Sequence, residues 1–221
     1  EQSGVGHKIS YTPPMLIAKM GPRRYATEGS PADCVIAGLY EILDGVRPDL
    51  VLSGVNRGNN SAENTLYSGT VGAAMEAALQ GMRAIALSQY IGPRSHDMSD
   101  LFEPAIAHGT AVVRNLLENG LWTEDDYRLF YNVNFPPVPA DEVLGTKVTA
   151  QGFRRHTAFG VEPHMSPSGR KFLWIKGGPQ HMPTLPGTDA AANLDGYISI
   201  TPLRCDLTAH DTLADLRNRL E

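Results

Sequence analysis

The sequence has only two cysteines and no run of about 20 apolar residues that could cross a bilayer. Cys34 and Cys205 lie in separate apolar segments, so a disulfide framework is not expected and a reducing compartment is favoured. No basic-then-apolar signal segment opens the sequence. These absences predict a cytoplasmic protein without a membrane partner.

An excess of positive charge is also missing, since 19 Lys and Arg stand against 24 Asp and Glu, for a net charge of −5. A protein that coats nucleic acid needs a basic face, so no nucleic-acid polymer is expected as a partner. Hydrophobic residues make up 42% of the 221 residues, which is enough for a packed core. Length and composition fit one large domain, or one domain with an appendage.

Several catalytic motifs are absent from the sequence. There is no Gly-x-Ser-x-Gly elbow and no Gly-x₄-Gly-Lys-Ser/Thr loop, which disfavours serine hydrolases of that type and P-loop enzymes. Neither Cys-x-x-Cys nor His-Glu-x-x-His occurs, so zinc sites of those kinds are not expected. No Gly-x-Gly-x-x-Gly opens a helix, which makes a nicotinamide-dependent dehydrogenase a weak alternative.

Strand-like and helix-like segments alternate over the first two-thirds of the chain. The strands lack period-two polarity, which predicts a mostly parallel sheet covered by helices on both faces. One helix start is especially clear: Ser30 suits the N-cap, Pro31 the first helical position and Asp33 the reciprocal position of a capping box. The predicted strands are 49–53, 84–88 and 129–133, and the further helices are 71–79 and 99–117.

The pattern changes after Pro136. Two strand-like segments, 147–149 and 171–175, are joined by a long polar segment and predict a protruding hairpin. A late strand at 197–201 and a last helix at 213–220 follow, the helix with a capping box at Thr208 to Asp211. The predicted division is a core over 1–140 and, over 141–221, a hairpin extension, a final strand and a C-terminal helix.

A loop rich in Gly and Asn follows the first predicted buried strand, at residues 54–64. Ligands of open parallel sheets bind beyond the carboxyl ends of the strands. The amide oxygen of Asn56 or Asn60 suits a hard cation, and Gly58 lets the backbone approach a ligand closely. The same composition is typical of a plain turn, so the residues leave both interpretations open.

The segment Tyr67-Ser68-Gly69-Thr70 stands directly before a predicted helix. A helix start offers free backbone N–H groups and a positive dipole end, which attract anions, and Ser68 and Thr70 add hydroxyl donors. An N-cap without any ligand is the alternative. A third glycine-rich segment, Ser3 to His7, is either a ligand loop or a frayed terminus, and the residues themselves favour the frayed terminus.

In this order and spacing, eight segments resemble the SurE family of survival nucleotidases. The Ser-Gly-Val-Asn and Tyr-Ser-Gly-Thr-Val segments are the most specific of them. The segments are Gln2-Ser3-Gly4, 29–35, 48–56, 66–71, Asn132-Val133-Asn134-Phe135-Pro136, Pro186-Gly187-Thr188-Asp189, 196–203 and Asp206-Leu207-Thr208.

The resemblance implies a metal-dependent phosphatase that removes phosphate from nucleoside 5′-monophosphates and also from 3′-monophosphates. It implies a Rossmann-like α/β/α core with a C-terminal hairpin and tail used in homodimer or homotetramer assembly, so that segment 153–171 is expected to reach a neighbouring subunit. One Mg²⁺ or Mn²⁺ per subunit is implied, with Ser3 and Asn56 as ligands. Phosphate and substrate binding is implied for Ser68, Gly69, Thr70, Gly58 and Asn60.

The sequence departs from the family at one point, because the acidic Asn-Asp-Asp-Gly metal segment does not occur in it. A βαβ unit of roughly 30 residues precedes the Ser-Gly segment in the family. We therefore expect the sequence as given to be an incomplete record, and a truly truncated chain to be poorly folded and inactive. The alternative is a non-catalytic oligomer that binds nucleotide or phosphate. No general base can be named, and His7 is only a weak candidate.

Overall fold

The structure is a computed structural model that describes residues 4–95, 98–155 and 159–221. Its main sheet has the mostly parallel α/β architecture that the sequence predicts. The strands are β1 (Ile17–Gly21), β2 (Arg24–Thr27), β3 (Val51–Arg57), β4 (Ala84–Gln89), β5 (Phe130–Phe135), β6 (Thr146–Val148), β7 (Gly160–Met165), β8 (Lys171–Lys176) and β9 (Ile198–Leu203). The helices are α1 (Pro31–Ala37), α2 (Gly69–Leu79), α3 (Glu103–Asn119), α4 (Asp189–Leu194) and α5 (Leu213–Leu220).

The main sheet has the strand order β3-β4-β5-β9-β6. Strands β3, β4 and β5 are parallel, β9 runs antiparallel to β5, and β6 is parallel to β9. Connections between parallel strands need a crossover, which α2 supplies between β3 and β4 and α3 between β4 and β5. The carboxyl ends of three neighbouring strands therefore meet at one edge of the sheet.

Hydrophobic packing covers both faces of this sheet, which is why its central strands show no period-two polarity. On one face, Ile85 and Leu87 of β4 pack in a cluster with Val112 and Leu116 of α3. On the other face, Ala84 and Ala86 of the same strand pack in a cluster with the alanines of α2. Small residues on this second face let α2 lie close to the sheet and so hold its N-terminus at the strand ends.

The predicted start of α1 is confirmed in detail. Ser30 Oγ accepts from the Asp33 backbone N–H at 3.1 Å, and Asp33 Oδ2 accepts from the Ser30 N–H at 2.7 Å. Asp33 also accepts from the backbone and hydroxyl of Ser10. Although burial raises it, these hydrogen bonds hold the pKa of Asp33 below its usual value. The capping box therefore also fastens residues 8–10 to α1.

The interpretation of the N-terminal segment as frayed is wrong for the residues that the structure describes. The Gly6 N–H donates to the Tyr67 carbonyl at 2.9 Å, and His7 Nε2 lies 2.6 Å from Glu76 Oε2 of α2. A Cβ on Gly72 would stand only 2.6 Å from the Gly6 carbonyl oxygen, so the segment lies directly on the helix. The antiparallel pair β1–β2 that follows was not predicted from the sequence.

Two details of the second half differ from the expectation. Strand β8 forms its hairpin with β7, whereas the predicted partner at 147–149 belongs to β6 and the main sheet. The predicted capping box before α5 does not form, because the Thr208 N–H bonds to Asp206 instead.

The division of the chain at residue 140 remains a prediction. Among the described residues, no helix combines the length and the hydropathy that a bilayer crossing requires.

Candidate functional site

A cavity of about 1270 Å³ opens at the carboxyl end of β3, between the Gly/Asn-rich loop and the start of α2. It brings together every predicted site residue that the structure describes. These are Asn56, Gly58, Asn60, Ser68, Gly69 and Thr70. Ser3 lies outside the described residues, and the next residue, Gly4, lines the cavity.

Asn56 stands near the end of β3 with its side chain half-buried. Its Nδ2 donates to the Gly58 carbonyl at 2.9 Å. Among the described residues, its Oδ1 accepts no hydrogen bond, and the side chain lines the cavity. A neutral carbonyl oxygen of this kind suits a hard cation or a hydrogen-bond donor on a ligand.

Glycine at position 54 makes this strand end possible. The backbone of Gly54 has φ +121°, and a Cβ there would lie 2.2 Å from the Leu87 carbonyl oxygen. The register of β3 against β4 shifts between Ser53 and Asn56, which turns the strand end relative to its neighbour. In a regular strand, successive side chains point to opposite faces of the sheet. The shift therefore changes which side chains of this segment face the cavity.

Asn60 anchors the loop to the sheet beneath it. Its Nδ2 donates to Ser88 Oγ at 2.7 Å, and its backbone N–H donates to Asn134 Oδ1 at 2.7 Å. Its carbonyl accepts from Asn132 Nδ2 at 2.7 Å and from Thr65 Oγ1 at 2.9 Å. Most of its hydrogen-bonding capacity therefore fixes the loop, and the buried strand β5 carries two asparagines for this purpose.

The start of α2 combines the two interpretations that the sequence left open. Ser68 Oγ accepts from the Val71 N–H at 3.0 Å, so Ser68 is the N-cap. Among the described residues, the backbone N–H groups of Gly69 and Thr70 and the half-buried hydroxyl of Thr70 have no protein acceptor. These three donors line the cavity at the positive end of the helix dipole, which suits an anion.

A buried arginine holds the far side of the loop. The Arg154 side chain is fully buried, and its guanidinium donates to Ser61, Asn59, Glu63 and the Gln180 carbonyl. Although burial raises it, hydrogen bonds and the charge of Arg154 hold the pKa of Glu63 below its usual value. The guanidinium thus ties the loop to the segments on both sides of the β7–β8 hairpin.

Asp189 at the start of α4 also holds the loop in place through hydrogen bonds. Its carboxylate accepts from the N–H groups of Ala62, Gly152 and Ala190 at 2.7 to 2.9 Å. Burial raises the pKa of Asp189, while these hydrogen bonds and Arg154 act to lower it. Both charged groups serve the cavity wall indirectly, and neither lines the cavity.

The metal-binding capacity of the described residues is limited. Across residues 4–95, 98–155 and 159–221, no group of three or more His, Cys, Asp or Glu could hold a metal ion. Asn56 Oδ1 fits one position of an oxygen-ligand set. His7 is bonded to Glu76 and is not among the described residues that line the cavity.

Sequence reasoning missed part of the cavity wall. Tyr67, Phe159, Val161 and Ile175 also line it, and the last two belong to the β7–β8 hairpin. Tyr67 directly precedes the predicted anion-binding residues Ser68, Gly69 and Thr70, so its place in the sequence was a signal for it. The hairpin residues lie about 100 positions further along the chain, and no local pattern relates them to the loop.

A second cavity of about 690 Å³ lies between α1 and β3. Its lining is mainly apolar, with Val35 and Leu39 on one side and Val51 and Leu52 on the other. Strand β3 is the edge of the main sheet here, and Leu52 remains half-exposed. This cavity lacks the cluster of donors found at the start of α2, so the chemistry is assigned to the larger one.

Comparison with known proteins gives consistent matches. The family described as Survival protein SurE matches residues 1–158. A protein of Cereibacter sphaeroides strain ATCC 17025 named 5′-nucleotidase SurE is 74% identical over 216 residues, which cover 98% of this chain and 83% of that protein. One of Ruegeria pomeroyi with the same name is 66% identical over 220 residues, covering 100% and 85%.

A solved structure supports the same relationship. The crystal structure of the SurE protein from Aquifex aeolicus superposes with a TM-score of 0.79 at 36% sequence identity. The superposition covers 99% of this chain and 85% of that one. The similarity therefore includes both the main sheet and the segments that frame the cavity.

Proposed function

The chain belongs to the SurE family, and from that premise we propose that it is a metal-dependent phosphatase acting on nucleoside 5′-monophosphates and on 3′-monophosphates. The products are nucleoside and inorganic phosphate. One observation carries the proposal: Asn56, Gly69 and Thr70 line the same cavity, and within the part of the chain that the structure describes the Asn56 Oδ1 accepts no hydrogen bond and the Gly69 and Thr70 donors have no acceptor. A cation ligand and an anion cradle side by side suit a phosphate ester.

In this proposal the start of α2 binds the phosphate. The N–H groups of Gly69 and Thr70 and the Thr70 hydroxyl donate to phosphoryl oxygens, where negative charge concentrates during transfer. Fixed donors cost no reorganisation when the reaction occurs. The Ser68 cap keeps the first turn of the helix rigid, and Gly58 and Asn60 shape the floor of the cavity.

Asn56, together with Ser3, is proposed to hold one divalent cation, Mg²⁺ or Mn²⁺, in each subunit. When bound, such a cation polarises a phosphoryl oxygen and neutralises developing charge. Asn56 is preoriented for this, since its amide nitrogen is already bonded to Gly58 and its oxygen is left available. Both proposed ligands are neutral, and we assign no described carboxylate to the ion.

Phosphate-release assays test the proposal directly. The protein expressed from its complete reading frame should release phosphate from 5′-AMP and 3′-AMP with Mn²⁺ or Mg²⁺, and lose that activity with a chelator. Asn56→Ala should cut turnover at least tenfold, as expected of a lost ligand, and leave the melting temperature within a few degrees. Asn119→Ala, an exposed asparagine on α3, is the matched control and should behave like the wild type. Unchanged turnover in Asn56→Ala would refute its metal role.

A substitution at Thr70 tests the anion cradle separately. Thr70→Val keeps the shape of the side chain and removes one donor to an anionic oxygen, a hydrogen bond worth about 1.5–3 kcal/mol. The Michaelis constant should rise, or turnover fall, by roughly tenfold to 150-fold. A lower melting temperature with unaltered kinetics would instead make Thr70 a structural residue of the helix start.

A non-catalytic nucleotide- or phosphate-binding oligomer is the second candidate. It is favoured by one observation, the lack of an acidic metal cluster among the described residues. The two candidates separate in the same experiment, because a binding protein would retain AMP in equilibrium dialysis with Mn²⁺ and release no phosphate from it.

We further propose that the chain assembles as a homodimer or homotetramer in the cytoplasm. The support is the β7–β8 hairpin, which exposes several apolar side chains, Phe172, Leu173 and Trp174 among them. Exposed apolar patches of this kind mark interaction surfaces. Elution as a monomer in size-exclusion chromatography at micromolar concentration would contradict this assembly.

A further inference from the structure

Helix α2 carries one buried acidic side chain. Its sequence, GTVGAAMEAAL, consists otherwise of small and apolar residues, and Glu76 is its single charged residue. The Glu76 side chain is only 7% exposed. A carboxylate removed from water is costly unless it is paired and hydrogen-bonded. A helix that packs on a sheet through alanines does not need an acid at this position, so the partners of Glu76 must account for it.

The partners of this carboxylate are a glutamine and a histidine. Glu76 Oε1 accepts from Gln80 Nε2 at 2.7 Å, and Oε2 lies 2.6 Å from His7 Nε2. Gln80 is one helical turn further along the chain, so this contact is local. His7 is 69 positions earlier in the chain. The Glu76 carboxylate therefore joins the N-terminal segment to the helix.

The segment joined in this way is rich in glycine and bends sharply. Gly4 and Gly6 have φ values of +71° and +58°, in the left-handed region that glycine adopts without strain. The Gly6 N–H donates to the Tyr67 carbonyl at 2.9 Å, and the backbone passes directly over Gly72 of α2. Gly4 lines the cavity. The segment therefore runs from His7 on α2 to the wall of the cavity.

His7 provides the last side-chain anchor before the cavity. Within residues 4–9, all of which the structure describes, no other side chain hydrogen-bonds to the rest of the chain. Residues 8–10 are held by α1 instead of α2. Gly4 is three residues from His7, which is at most about 11 Å of extended chain. The position of this part of the cavity wall therefore depends on how His7 is held.

We propose that His7 and Glu76 are a positioning pair that holds residues 4–6 in the wall of the cavity, beside the phosphate-binding donors of Gly69 and Thr70. The pair touches neither substrate nor cation and acts through the backbone of the segment. The sequence of α2 fits this role, because a small residue lies where the segment crosses the helix and the acid lies one turn further on.

This inference rests on the proposed function. Ser3, one of the two cation ligands proposed above, directly precedes Gly4 in the sequence. A residue that orients a metal ligand without binding the metal typically contributes roughly 10- to 100-fold to metal affinity or activity. Without the His7 contact the segment is free to leave α2, and cation binding weakens although Asn56 keeps its bond to Gly58.

Mn²⁺ binding, measured by isothermal titration calorimetry on protein expressed from its complete reading frame, tests the pair apart from catalysis. His7→Ala should weaken Mn²⁺ binding by about tenfold or more and lower kcat/KM for 5′-AMP by a similar factor. His7→Gln, whose side-chain amide can donate to Glu76 as Nε2 does, should restore most of both losses. His108→Ala in α3 is the matched control, because it also removes one histidine hydrogen bond, to the Ala140 carbonyl at 2.9 Å. It should bind Mn²⁺ like the wild type.

A double variant separates positioning from a general loss of stability. The His7 side chain is 27% exposed, so its truncation leaves the core intact, and all variants are compared at a temperature at which circular dichroism shows them folded. If His7 acts through the segment that carries Ser3, then Ser3→Ala and Ser3→Ala/His7→Ala should bind Mn²⁺ equally weakly, since coupled residues are not additive. Additive losses, or wild-type Mn²⁺ affinity in His7→Ala, would overturn the positioning role. A wild-type protein that neither binds Mn²⁺ nor releases phosphate would instead refute the proposed function, and this inference with it.

Discussion

The Gly/Asn-rich loop and the β7–β8 hairpin meet at one cavity and are built in opposite ways. In the loop, Asn60 and Ser61 are buried and bonded to β4, β5 and Arg154. In the hairpin, every residue of β8 is exposed, its apolar side chains included. The anionic end of the cavity is therefore held rigidly by the sheet, while the apolar end depends on an element with little packing of its own.

Arg154→Ala should have the largest effect on this arrangement. It removes a fully buried charge and the bonds that this charge makes to Glu63 and the loop, which costs about 3–5 kcal/mol of unfolding free energy. Arg155→Ala, at the exposed neighbouring position, should change stability by less than about 0.5 kcal/mol. Urea denaturation of both variants measures the difference. Equal stabilities would show that the guanidinium does not hold the two regions together.

Gly72→Ala tests how closely the N-terminal segment lies on α2. Alanine in a helix interior normally gains about 0.5–1 kcal/mol over glycine. At position 72 its Cβ would meet the Gly6 carbonyl oxygen at 2.6 Å, so we expect a loss of roughly 2 kcal/mol instead. Gly109→Ala in α3 has only an ordinary contact at 3.7 Å and should show the normal gain. A gain in both variants, measured by thermal unfolding, would mean that residues 6–7 do not pack there.

Asp33→Asn should give a loss of similar size that depends on pH. The carboxylate accepts three hydrogen bonds from Ser10 and Ser30, so its removal should cost about 1.5–3 kcal/mol at neutral pH. Because the pKa of Asp33 is lowered when folded, this stabilisation is complete above the unfolded value of 3.8 and disappears as the pH falls through the folded value.

Unfolding of this variant measured from pH 7 to pH 2 should approach the wild-type curve at the acid end. Exposed Asp141→Asn should follow the wild type throughout. A difference that stays constant with pH would assign the loss to packing rather than to the carboxylate charge.

Trp174→Ser in the hairpin should have the smallest effect. Trp174 is 63% exposed, and the expected change in the unfolding free energy of dilute protein is below about 0.5 kcal/mol. Trp122→Ser is the contrasting case, since that indole donates to the Leu116 carbonyl and packs edge to face on Tyr131 5.0 Å away. Its loss should reach about 3 kcal/mol. A comparable loss for Trp174→Ser would show that the hairpin packs against a further surface.

How much of the structure the sequence predicts depends on how far apart in the chain the interacting residues lie. The capping box at Ser30 and Asp33 and the buried strands β4 and β5 are local patterns, and the structure confirms them. The strand predicted as buried over 49–53 forms as β3, but its residues are partly or fully exposed. The residues of the cavity floor were also predicted, because the loop and the helix start are only a few residues apart.

The sequence did not predict the pairing of segments that lie far apart in the chain. Strand β7 contains Pro163 and His164, so no strand pattern marks it as the partner of β8. The position of the Arg154 side chain depends on contacts with residues about 90 positions earlier, which no local spacing predicts. Thr208 and Asp211 have the spacing of a capping box, but the Thr208 N–H donates to Asp206 instead.

Asn132 and Asn134 on β5 have a consequence for how this fold varies. A strand in the middle of a sheet ordinarily selects Val, Ile or Leu at every interior position. Here the side chains at two interior positions hydrogen-bond to the main chain of Asn60. Aliphatic residues there would fill the space, but the buried Asn60 N–H would lose its acceptor and the Asn60 carbonyl would keep only the Thr65 hydroxyl. The identity of these two strand residues is therefore dictated by the backbone of a loop that lies about 70 positions away in sequence.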